Sequence, residues 1–131
     1  MTIEDVLREK FEEANRHFVT RDMKLVDLFW AGGSFCLYGS EADEADETRE
    51  ELHRHVAAMF AKPYIVSFRF GKISADQHGD MAWANAQAVL EVTYPDRKVE
   101  TPYRLFALFQ QIGGVWHWRV FSGSEPAAPP A

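Results

Sequence analysis

Residues Ala82 to Val92 read AWANAQAVLEV, with alanine at positions 82, 84, 86 and 88. Side chains alternate faces along a β-strand, so the four methyl groups share one face. Alanine offers little to pack on a pleated surface, and that face is therefore shallow. Three arrangements account for it: a helix lying close on the sheet, an empty volume between sheet and helices, or a second subunit against the small residues. Close helix packing is the commonest of these in general. The strand has neighbours of the same kind. YIVSFRFGKIS (64–74) turns at QHGD into it, YPDRK leads into VETPYRLFALFQQ, and IGGVW turns into WHWRVFSGS. Strands joined by such turns form one curved antiparallel sheet.

The first half of the chain reads as cover for that sheet. Ile3, Leu7, Phe11, Ala14 and Phe18 recur at helical spacing, with Thr2 and Asp5 placed as a capping box. RDMKLVDLFW predicts a second helix, capped by Asp22, burying Leu25, Leu28 and Phe29 and ended by Gly32-Gly33. SFCLY is a short strand. A third helix starts at Thr48, with Glu51 as capping partner, and runs to Pro63. Residues 1–124 make one α+β domain, and EPAAPPA (125–131) is a flexible tail.

Composition sets further bounds. The 131 residues are 47% apolar, enough for a real core. A net charge of -6 argues against nucleic acid as a partner. No apolar run approaches the ~20 residues that cross a bilayer, so no membrane association is expected. The charged start MTIEDVLREK is unlike a signal peptide, and the single cysteine, Cys36, forms no internal disulfide. A reducing cytoplasm is the expected location.

The helix-turn-helix HFVTRDMKLVDLFW, the strand SFCLYGSE leading to TREELHRHV, the turn HGDMAWA, the strand YRLFALF and the closing GGVWHWRVFSGS together resemble the NTF2-like superfamily, in particular its SnoaL-like members. The likeness lies in their order and spacing across nearly the whole chain. It implies a cone-shaped half-barrel, three N-terminal helices on a curved antiparallel sheet around a pocket. It also implies a homodimer formed through the outer sheet face. In this family the closing strand often reads Trp-x-Ile, then His-x-Ser; here Ser122 stands where the histidine would be. The match implies that Trp116, Trp118, Val120, Ser122 and Ser124 face the pocket.

Ketosteroid isomerases of this fold use an aspartate base, a tyrosine and a protonated aspartic acid, a case well described in general terms. Matched through Arg21-Asp22, these roles fall on Tyr38, on Ala14, and near Leu105 or Phe106. All three are vacant, which excludes that mechanism. A dehydratase of this scaffold would need a histidine–aspartate pair in the cavity. His53 and His55 stand two apart, on different sides of a helix, which leaves His17 as the expected pocket histidine. No metal-ligand spacing is present, and neither a metal nor another cofactor is expected. SEADEADET (40–48) reads as a solvated connection into the Thr48 cap, and Cys36 as an inert thiol.

The remaining candidates are ligand-orienting residues: Tyr38 at the family's functional position, Arg104 paired with Glu91 or facing an anion, Trp30 and Trp118 as aromatic walls, Ser122, and His17. No catalytic residue is assigned, and whether the chain is an enzyme stays open at this point. The expected function is binding of a small, mostly apolar molecule in the cone, with isomerase- or dehydratase-like turnover as its enzymatic form. The alternative is a non-catalytic dimerisation or protein-interaction module with a filled core. The outward row Trp83, Asn85, Gln87, Val89 and Glu91 suits an interface.

Overall fold

A computed structural model describes residues 1–130. Helix α1 spans Ile3–Thr20 and buries Leu7, Phe11, Ala14 and Phe18, the stripe read from the sequence. Its capping box forms: Asp5 N–H donates to Thr2 Oγ1 (3.1 Å) and Thr2 N–H donates to Asp5 Oδ2 (3.2 Å). The helix ends at Arg21, which takes a left-handed conformation (φ 55°) that glycine adopts more readily.

The second helix is shorter and tighter than its sequence predicts. Met23–Leu28 is a 3₁₀ helix, capped by Asp22 as expected, with Lys24 N–H donating to Asp22 Oδ1 at 2.9 Å. It stops before Gly32-Gly33 because the following backbone pairs elsewhere. Phe29 bridges Trp118, and Trp30 N–H donates to the Trp118 carbonyl (2.9 Å). The Arg49 guanidinium donates to the carbonyls of Val26 (2.8 Å) and Phe29 (3.0 Å). Leu25, Val26 and Phe29 are buried, whereas Leu28 is only half-buried.

Strand β1 is Cys36–Tyr38 and β2 is Ala45–Asp46, the latter inside the acidic stretch read as a plain connection. Helix α2 follows over Arg49–Phe60, with the Thr48–Glu51 capping box in place. The long strands are β3 (Ile65–His78), β4 (Met81–Thr93), β5 (Lys98–Ile112) and β6 (Val115–Ser124). They form one sheet in the order β2-β1-β6-β5-β4-β3. Every pair is antiparallel except β1 with β6. The β5–β6 turn uses Gly113 (φ 56°) and Gly114 (φ 80°), the positive dihedrals that a two-residue hairpin of this hand demands. Register shifts at Phe70/Ile73 and Leu108/Phe109 mark bulges, which bend strands and curl the sheet. No helix among the described residues is long and apolar enough to cross a membrane.

The alanine row packs the deep end of the cone. Ala82, Ala84 and Ala86 are buried, and Ala84 lies between Ala75 and Ala107 on the neighbouring strands. Over this shallow floor Phe11 of α1 meets Phe109 (ring centroids 6.1 Å) and Trp118 (5.4 Å), while Phe109 and Trp118 touch at 4.5 Å. Small residues on the sheet leave depth for these large rings above it, so the row at this end is covered by aromatic side chains. The expectation that the alanines bound an empty volume is corrected here, since none of the four lines the cavity described below.

A second correction concerns β6. Trp116 and Trp118 face inward but pack in the core and do not line the cavity, and the bulge leaves Arg119 as an extra residue between Trp118 and Val120 in the pairing with β5. The alternation then changes phase: Phe121 and Gly123 are buried, and Ser122 turns to the outer face opposite Phe106 and Tyr38. Beyond β6, residues 125–130 carry no regular secondary structure, and Ala131, the end of the expected tail, lies outside the described residues.

Candidate functional site

The cone is filled at its deep end and open at the other. A cavity of about 460 Å³ lies between α2, the β1–β2 loop and the inner face of the sheet. Phe18, Val56, Phe68, Leu90 and Phe121 give it an apolar wall, and Ser40, Glu44, His55, Tyr64 and Tyr103 bring polar groups to it. That size and mixture are those of a small-molecule site.

His55 reaches the cavity because of its place on α2. Leu52 and Val56 are the buried residues of that helix, so His55, three after one and one before the other, sits on the edge of the buried stripe. Its partner comes from nine residues earlier. Pairing of Leu37 with Asp46 holds β2 against β1, and Asp46 is 5% exposed, the one buried charged residue among the described residues. His55 Nδ1 lies 2.5 Å from Asp46 Oδ2. On the other side Nε2 stands 3.6 Å from Glu44 Oε2. Glu44 is itself fixed, because its Oε1 accepts from Glu41 N–H at 2.8 Å and its carbonyl accepts from Gly39 N–H at 2.8 Å.

Electrostatics follow from this geometry. The carboxylates of Glu44 and Asp46 outweigh the desolvation of the imidazole and push His55 up to about 9, so it is a cation at neutral pH. The contact with His55 holds Glu44 below the usual carboxylate range. A proton donor thus stands beside an ionised carboxylate on one cavity wall. Among the described residues, no group of three or more His, Cys, Asp and Glu side chains is placed to hold a metal ion.

Tyr103 completes the polar set. It is 4% exposed and its ring crosses β6 so closely that a Cβ on Gly123 would fall 1.7 Å from its hydroxyl. Burial, with the negative charges of Glu44 and Glu125, pushes the phenol well above its ordinary range, so it stays an O–H donor. Ser40 Oγ donates to Glu125 Oε1 (3.3 Å), and the same hydroxyl is the hydrogen-bonding neighbour that partly opposes the rise of the Tyr103 phenol.

The residues expected from the sequence are not brought together here. Tyr38 is 39% exposed on the outer face, donating to Glu47 Oε1 at 2.7 Å, a contact that raises its pKa. Arg104 is exposed on the same face, opposite Gln87 and Ser124, and Glu91 pairs instead with Arg69. Trp118 belongs to the aromatic core, whereas Trp30 lies outside the cavity under the Arg119 guanidinium, 5.2 Å from its ring centre. His17 faces Asp22 at 3.7 Å, away from the cavity. The separation of His53 from His55 holds, with His53 exposed, but the partner of His55 is an aspartate and not a second histidine.

The sequence profile of the SnoaL-like domain matches residues 7–128. The chain belongs to this family. No curated protein matches it by sequence. Among solved structures, this SnoaL-like chain is similar to a candidate dehydratase of the NTF2-like family from Streptomyces avermitilis, at TM-score 0.81 and 14% identity over 95% of each chain. An NTF2-like protein of unknown function from Pseudomonas putida KT2440 gives TM-score 0.77 at 15% identity, covering 95% of this chain and 87% of its own. A candidate scytalone dehydratase from Novosphingobium aromaticivorans gives TM-score 0.72 at 12% identity, covering 100% of this chain and 95% of its own. At such identities the likeness shows the α+β NTF2-like fold, and function is left to the site.

Proposed function

We propose that this SnoaL-like chain binds a small, mostly apolar molecule in the open end of the cone and moves a proton on it, as a dehydratase or isomerase does. The observation that carries the reading is His55 on the cavity wall with Nδ1 anchored on buried Asp46. Asp46 fixes the ring and favours its charged form, so Nε2–H is the working proton. Glu44, ionised and next to it, is the base. In a dehydration Glu44 takes the proton from carbon while His55 gives one to the departing hydroxyl. A C–H and a C–O bond break, a C=C bond and water form, and passage of the proton from Glu44 to His55 resets the site. In an isomerisation the same two groups remove and return a proton at different carbons. Tyr103 O–H is placed to hold a substrate oxygen. The neighbours described as candidate dehydratases are in keeping with this class, by analogy of fold.

A thermal-shift screen of steroids, polyketide-like aromatics and small aromatic alcohols tests the reading. A ligand at 100 times its Kd adds about 2.7 kcal/mol, a shift of several degrees in a domain of this size. The hit is then assayed for turnover. His55→Gln is expected to abolish turnover while binding persists, and turnover that survives this change would contradict the assignment.

The outer face supports a second, compatible role. Phe106 is 40% exposed there, across Ser122 from Tyr38, with Trp83, Leu108 and Val120 half-buried in the same surface. We propose that two copies pair through this face, as contiguous apolar surface of this kind favours.

A further inference from the structure

The open end of the cone is charged as well as apolar. Glu41, Asp43 and Glu44 of the β1–β2 loop and Glu125 after β6 line it, with Asp46 behind His55. Against these five carboxylates stand three cations: His55, Lys62 just after α2, and Arg97 on the Tyr94 ring. His55 is already held between Glu44 and Asp46. The walls are phenolic: Tyr64 and Tyr94 lie with ring centroids 5.3 Å apart, and Tyr94 carries the Arg97 guanidinium on one face, 4.0 Å from its centre. That contact shows a ring of this wall already accepting a cation. Burial pushes the Tyr64 phenol up, and Tyr94 and then the carboxylates of Glu44, Glu41 and Asp43 add to that rise. The cavity itself, walled by Phe18, Phe68 and Phe121 with the buried Tyr103 among them, marks the place as a ligand site and not merely an acidic surface.

We propose that the ligand of this cavity is an amine, an apolar or aromatic body bearing one cationic nitrogen that sits among the mouth carboxylates and tyrosine rings. A carboxylate or phosphate on the ligand meets the same field with the opposite sign and is rejected, since low-dielectric walls focus the field of the mouth. This inference rests on the cavity being a binding site and adds the charge of what it takes. The ammonium group lies at the rim and the body beneath it, toward His55.

Three probes sharing one aromatic body test it: naphthylethylamine, naphthylethanol and naphthylacetate, titrated at low and at physiological salt by calorimetry and by NMR of the cavity residues. The amine is expected to bind about tenfold more tightly than the alcohol and about a hundredfold more tightly than the acid, one and two decades of Kd. The gap is expected to narrow as salt rises. The double variant Glu41→Gln with Asp43→Asn, both at exposed positions, is expected to bring the amine's affinity down to that of the alcohol. Equal binding of the three probes, or preference for the acid, would overturn the inference while leaving the cavity a binding site. Failure of all three to move any cavity resonance would overturn both.

Discussion

The charge state of His55 can be tested without knowing any ligand. Each unit of pKa corresponds to about 1.4 kcal/mol, so a rise from 6.5 to about 9 is worth about 3 kcal/mol at most. The ring is 20% exposed, which leaves most of that interaction unscreened. The depression of Glu44 is the same contact seen from its partner and adds nothing to the total. The sign follows from the direction of the change. A folded-state pKa above the unfolded one means that the folded protein holds the proton more tightly, so the contribution is complete below pH 6.5 and is lost as pH rises through about 9. Chemical unfolding of the wild type and of His55→Gln, measured from about pH 6 to about pH 10, isolates it, because the other four histidines cancel in the difference. The wild type is expected to be more stable by roughly 3 kcal/mol at the acid end, with the gap shrinking steadily to the alkaline end. Direct titration of the His55 ring by NMR should give a midpoint near 9. A midpoint at or below 6.5, with a stability gap independent of pH, would refute the two-carboxylate environment and the acid role built on it.

Other perturbations probe the frame around the site. Phe11→Ala removes the ring at the centre of the deep aromatic packing and should cost about 3–5 kcal/mol in unfolding free energy. Gly123→Ala places a methyl group where the Tyr103 hydroxyl lies and should cost about 1–3 kcal/mol, with a changed near-UV circular dichroism signal as the ring moves. Phe106→Asp, on the outer face, should convert a dimer to a monomer in light scattering and alter monomer stability by no more than about 0.5 kcal/mol. A wild type that is monomeric at every concentration would contradict the pairing.

Much of the frame is legible in local sequence. Thr2 with Asp5 and Thr48 with Glu51 start helices where the capping pattern places them, and paired glycines turn β5 into β6. The site is less so, for two physical reasons. Asp46 is buried by a two-residue strand whose pairing with Leu37 is non-local, and nothing in SEADEADET distinguishes it from its acidic neighbours. Both rows of β5 are largely apolar: Tyr103, Leu105, Ala107 and Phe109 face in, whereas Phe106 and Leu108 share the outer row with Arg104. The choice of face needed the partner strand, and the bulge at Arg119 reversed it again for Ser122. One signal was present. Leu52, His55, Val56 and Met59 stand at helical spacing, so His55 shares the face on which Leu52 and Val56 are buried. A histidine on such a stripe needs a partner, and an acid-rich stretch, residues 41–47, lies immediately before the helix.

The most direct test of the site is where a ligand lands. Backbone and histidine side-chain NMR spectra, recorded as the first binder from a screen is added, report on both faces of the sheet at once. The expected result is movement of His55, Tyr103 and Phe121, with Tyr38, Arg104 and Ser122 unchanged. Movement confined to Tyr38, Arg104 and Ser122 would put the ligand on the outer face and contradict the assignment of the cavity.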